Sequence, residues 1–139
     1  MTALTEERDT IEKASSLAMR HTLAVATGVV IYQGALVGLD AAGELIPCLG
    51  AAAFTPVGRS SETVDNTAGG NDCDCRSGIF GWANDLVAPV SQADVGSVVY
   101  AEDDQTISTD AAKSPAGVLY EFDAVHGIAY VASTFPASQ

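Results

Sequence analysis

The sequence predicts an all-β fold: a small single-domain β-barrel or sandwich of about eight short strands, preceded by an N-terminal arm. Three observations carry this. From residue 21 on, short apolar runs are separated by Gly, Asp, Asn and Pro at roughly 8–12-residue spacing. No stretch carries the repeat of a long helix. The first 20 residues differ from the rest: they contain no glycine and are rich in Glu, Arg, Lys, Ala and Ser.

The elements follow in order. Residues 1–20 form the arm and 21–139 the β-domain. In the arm Leu4, Ile11 and Leu17 lie too far apart for a continuous apolar stripe. It reads either as a partly helical or extended segment fixed by contact with something else, or as a frayed terminus. TGVVIYQG opens the β-domain. ALVGLDAAGELIPCLG reads as a hairpin, its strands at Leu36–Leu39 and 44–48 around the turn DAAG. FTPVGRSSETV and the loop DNTAGGN come next.

CDCRSGIFGWA reads as a single strand. Side chains alternate along it, so Cys73, Cys75 and Ser77 face one side and Asp72, Asp74 and Arg76 the other. A bulge is expected near Gly78, after which Ile79 takes up the apolar face. Cys73, Cys75, Ile79, Phe80 and Trp82 thus mark a core or interface strand. In DLVAPVSQADVG, Ser91 and Asp94 have the spacing of a capping box for one helical turn. SVVYAEDDQTISTD reads as a hairpin turning at 102–105. AGVLYEFD and IAYVAST form the last pair around AVHG, with Val118, Tyr120 and Phe122 on an apolar face against Leu119 and Glu121. No internal repeat stands out.

Charged residues are 17% of the 139, against about 25% in typical domains. Such a chain hides much of its surface in its core or against partners. Acids outnumber bases 18 to 6. Arg8, Lys13 and Arg20 stand in the arm beside Glu6, Glu7, Asp9 and Glu12. Only Arg59, Arg76 and Lys113 remain to face the other fourteen acids, a net charge near −11 for the body. Phosphate backbones and anionic lipid heads would be repelled, so neither nucleic acid nor membrane is an expected partner. No apolar run reaches the ~18 residues of a membrane span. The polar, acidic start is not a secretory signal. Three cysteines fit thiols used as small apolar side chains in a reducing compartment.

Chemical motifs are weak. A structural zinc site needs four ligands, and beyond Cys73 and Cys75 only Cys48, His21 and His126 remain, at irregular separations. Redox pairs favour Cys-x-x-Cys at a helix start, which is not the pattern here. The pair is therefore expected in the core. Glu102, Asp103 and Asp104 lie in a stretch too short for a calcium loop and without its glycine, so a solvated turn is expected, with weak calcium binding as the alternative. Only His21 and His126 are available as a general base, and no nucleophile elbow or phosphate loop occurs. The expectation is a non-enzyme with no cofactor and no metal.

The order of the segments is more informative. IYQGALVGLDAAGELIP, VGRSSETVDNTAGG, CDCRSGIFGWAND, ADVGSVVYAEDDQTIS and SPAGVLYEFD follow one another after the opening MTALTEERDT. In this order and spacing the chain resembles the head decoration, or cement, proteins of tailed phages and prophages over nearly its whole length. It departs from them in the short stretch after Asp110, which lacks a glycine-rich run, and in the cysteine pair, which replaces apolar and basic residues. The resemblance implies a β-domain, made in the host bacterial cytoplasm, on the virion's capsid exterior. There it would bind the major capsid protein lattice as a homo-oligomer, a trimer favoured, and clamp capsomers. Some members instead form the base of a spike or fibre. Their concentration in the arm makes Arg8, Lys13 and Arg20 the expected electrostatic contacts to the shell; the bland alternative is that they are merely solvated. A competing reading is a β-module recognising host surface or glycan. Against it, Trp82 is the sole tryptophan and follows Phe80 in a strand, which favours core or interface.

Overall fold

The computed structural model describes Glu6, residues 19–51 and residues 53–135. Arg8 and Lys13, like most of the arm, lie outside the described residues. The described chain is all β, with one 3-10 turn and no α-helix.

Its first half builds an open sheet. β1 (Arg20–Ala24) leads to β2 (Val30–Ile31), β3 (Leu36–Leu39), β4 (Leu45–Pro47), β5 (Thr55–Ser60), β6 (Val64–Asp65) and β7 (Asp72–Arg76). Five of these pair in the order β1-β7-β5-β3-β4, while β2 pairs with β6. A single parallel bridge, Val25 to Leu45, links the residue after β1 to the far edge strand. The predicted hairpin is present between β3 and β4, with Leu39 opposite Leu45. Its turn forms because the Asp40 carboxylate accepts the N–H groups of Ala42 and Glu44, each at 2.9 Å.

The second half closes into a barrel. β8 (Gly78–Asn84), β9 (Val98–Ala101), β10 (Thr106–Ser108), β11 (Ser114–Asp123) and β12 (Ile128–Ser133) join in the order β10-β8-β12-β11-β9. The ring is completed by the antiparallel β9–β10 pair. The hairpins predicted around 102–105 and AVHG are those of β9–β10 and β11–β12. Aspartate seats both turns: Asp103 accepts the Gln105 N–H at 2.9 Å, and Asp123 the Val125 N–H at 3.0 Å. The predicted helical turn is the 3-10 turn Gln92–Asp94, where Asp94 accepts the Ser91 N–H at 2.8 Å.

Three expectations are corrected. Twelve strands stand among the described residues instead of about eight, because curling breaks long runs into pieces, several only two or three residues long. CDCRSGIFGWA is not one strand with a bulge. It is β7 in the open sheet and β8 in the barrel, and the chain crosses between them at Ser77. Ser77 and Gly78 are both buried, so the inward parity flips there. Phe80 and Trp82 then point inward and Ile79 outward, 40% exposed. In β11 the inward residue is Leu119, while Val118 and Tyr120 face outward. A bulge between Leu119 and Glu121 turns Phe122 back onto the core.

Two apolar cores result. The barrel encloses Trp82, Val99, Ile107, Leu119 and Val131, and the first half lends it Leu36, Cys48 and Phe54. Ile31, Val37, Leu45, Val57, Cys73 and Cys75 fill the other, under the open sheet.

Candidate functional site

Three strands distant in sequence bring three arginines into one row. Arg20 of β1 pairs in register with Arg76 of β7, and Arg76 pairs on its other side with Arg59 of β5. The next row, His21, Cys75 and Ser60, points to the interior. Alternation therefore sends all three arginines to the outer face. With strands ~4.8 Å apart the row spans about 10 Å.

Local sequence builds this convergence. Gly58 lets β5 approach β7: a Cβ there would sit 1.9 Å from the Arg76 carbonyl oxygen. At the root of the arm, the Ser77 N–H donates to the Met19 carbonyl at 3.0 Å. His21 Nε2 lies 3.3 Å from Ser77 Oγ, and Phe135 stacks edge-on against the imidazole, centroids 5.2 Å apart.

The electrostatics of the row are uneven. Asp74, one step along β7, comes within 4.0 Å of Arg20, but that arginine side chain is 78% exposed, and pairs so exposed contribute little. The same carboxylate accepts the Thr22 hydroxyl at 2.6 Å. Lys113, the fourth cation of the described residues, pairs with Glu102 at 3.4 Å. Arg59 and Arg76 make no ion pair among the described residues. Directly opposed like charges repel across strands.

Of the arm cations expected to touch a partner, Arg20 is exposed at the start of β1. Arg59 and Arg76 are the site residues that sequence reasoning missed. Alternation showed that Arg76 faces outward, but only the pairing register shows what stands beside it.

Cys73 and Cys75 lie in the core, as expected. Burial pushes both thiols up, Cys75 to about 12, with nearby negative charge adding to the effect. Cys73 Sγ is 3.3 Å from the buried Ser60 hydroxyl. Cys48 is buried on the barrel side, and burial raises its thiol too. Among the described residues no three His, Cys, Asp or Glu side chains gather as a metal set. The two histidines serve different places. Beside His21, Ser77 is 1% exposed, too enclosed to meet a substrate. His126 is exposed in the β11–β12 turn, 2.8 Å from Asp123, whose carboxyl it holds below the usual range together with turn N–H groups. Glu102, Asp103 and Asp104 diverge: Glu102 goes to Lys113, Asp103 caps its turn, and burial, then Asp103, raises Asp104.

A second surface contrasts with the row. Val98, Val118, Ala132 and Ile79 lie in register across four barrel strands and all face outward. An apolar groove of about 560 Å³ runs between this wall and Phe54–Pro56. The barrel strands contain only two charged residues, Glu121 and Asp123, both near the end of β11. No family model, no curated protein and no solved structure matches the chain.

Proposed function

We propose that the protein is a non-enzymatic structural component of a virion, a decoration or cement protein on the capsid exterior. It binds the major capsid protein lattice and stabilises contacts between capsomers. The observation that carries this reading is the resemblance running in order along nearly the whole chain. It is supported by the kind of residue that the shared segments supply. Asp40 seats a hairpin, Gly58 permits a close strand approach, and Asn66 plugs a loop. All three build a β-body and carry no chemistry.

A cement protein needs none. It binds the assembled lattice and not separated subunits, so binding stabilises the shell by mass action. Many copies on one lattice multiply the effect. Arg8, Lys13 and Arg20 supply the arm's contacts. Eighteen extended residues reach at most ~60–65 Å, enough to bridge neighbouring subunits. Nucleic acid and membrane are not partners in this scheme. Copies carrying −12 each meet at the uncharged barrel wall, as a homo-oligomer with a trimer favoured. Sedimentation of the Val118→Asp variant tests the wall: the oligomer should dissociate, and an unchanged mass rejects this interface.

The decisive test removes residues 1–18, which leaves β1 intact. Co-sedimentation with expanded capsids should fall sharply while the circular dichroism spectrum is kept. Undiminished binding rejects the reading.

One observation favours the spike-base or surface-binding alternative. At the barrel end remote from the arm root, Leu86 is 96% exposed and Val87 92%. Val125 is exposed in the turn at the same end, where Ile128 pairs with Ala83. Such tips suit a distal protein partner. Binding of the isolated protein on a glycan array would promote the module reading over the cement one.

A further inference from the structure

We propose that the row formed by Arg20, Arg76 and Arg59 is a recognition site for an extended, acidic protein segment.

Three of the four cations among the described residues stand side by side on a chain of net charge −12. Folding alone gives no reason for this. Like charges directly opposite one another on a sheet are unfavourable, and the neighbouring Asp74 offsets this only through one exposed contact to Arg20. Arg59 and Arg76 have no ion-pair partner among the described residues, and the one contact of Arg20 is long and exposed. The row is thus held open against its own repulsion, in the way strained features persist at functional sites.

The ligand class follows from geometry and charge. Guanidinium forks bind carboxylates in a bidentate manner. An extended segment places alternate side chains about 6.7 Å apart, so two carboxylates fit over a row about 10 Å long. A nucleic acid carries one charge per ~1.7 Å of duplex and would extend well past the row over the acidic body. Asp74, Asp72 and Glu62 stand beside the row on that body and would repel a long polyanion. A short protein segment with only two carboxylates meets far less of this repulsion. On the decoration reading this segment belongs to the shell; recognition of an acidic peptide by the row requires no capsid.

The experiment titrates the full chain with a synthetic end-blocked peptide Ser-Glu-Ser-Glu-Ser, followed by calorimetry and by the arginine side-chain N–H signals in NMR. Binding should weaken steeply with salt. The Arg59→Gln/Arg76→Gln double variant should bind at least about tenfold more weakly, and Lys113→Gln should match the parent. Gln keeps much of the stem, and relief of the repulsion should leave the variant's Tm equal to or above the parent's. The proposal is overturned by no binding at low salt, by equal binding of the double variant, or by a single-stranded 20-mer oligonucleotide binding as tightly as the peptide. A lower Tm of the double variant would also overturn it, since the row would then serve the fold.

Discussion

The open sheet and the closed barrel bury cores of similar chemistry, yet they meet solvent in opposite ways. The barrel has no free edge, and its strands are nearly uncharged. The sheet keeps its edge strands, joined at one point by the Val25–Leu45 bridge, and it carries the arginine row beside Asp72 and Asp74. A low-charge chain here divides its surfaces between two halves. A ring that satisfies its own backbone can leave an apolar wall outside without exposing a strand edge to aggregation. An edged sheet keeps charge on its face and depends on special residues at its seams. Its seams are also where stability should be most sensitive.

The two halves differ most in what Gly58 tolerates. A methyl group there meets the Arg76 carbonyl and must push β5 from β7. Gly58→Ala should destabilise by about 3–5 kcal/mol. Hydrogen exchange should accelerate in β5 and β7 well before β8 and β12; uniform acceleration would mean that the two halves open as one unit.

Alkaline pH attacks the sheet core next. The Cys75 thiol titrates near 12 in the folded chain and near 9 when unfolded. The folded state therefore holds its proton longer, and the stabilisation, fully present below about pH 9, is lost as pH rises towards 12. The loss should approach 1.4 kcal/mol per pH unit. Denaturant midpoints of Cys75→Ser against the parent between pH 8 and 11 measure it, and parallel slopes would refute it.

Asn66 ranks third. Its buried amide donates to the Val25 and Ala26 carbonyls at 2.9 and 3.1 Å and accepts the Asn71 N–H at 3.0 Å. Asn66→Ala strands all three groups and should cost about 2–3 kcal/mol in urea unfolding.

The smallest effect belongs to the barrel. Trp82 Nε1 is buried and has no hydrogen-bond partner among the described residues. Trp82→Phe removes an unsatisfied donor and some volume together, so urea midpoints should move by less than about 1 kcal/mol. A large loss would show that packing around the indole, and not polarity, decides that core.

Much of the fold was legible because it is local. Asp40, Asp103 and Asp123 seat their turns through N–H groups two to four residues on, and Ser91 with Asp94 does the same for the 3-10 turn. The inward cysteines were legible because alternation in a strand is a property of the backbone. Ile79 and Tyr120 were not, because a bulge or a change of sheet inverts parity without altering composition. The candidate site was legible only in part: Arg20 stood out by its place in the arm, Arg59 and Arg76 did not.

The β class, the hairpins, the burial of Cys73 and Cys75 and the acidic excess of the body are legible along the chain. All of these follow from period, turn chemistry or summed charge. That Ser77 is a crossing between two sheets, that Val98, Val118 and Ile79 share one wall, and that Arg20, Arg59 and Arg76 share one row are properties of the assembled fold. Those facts depend on which strand lies beside which. Pairing register is set by long-range closure of the whole sheet, and no short window of sequence contains it.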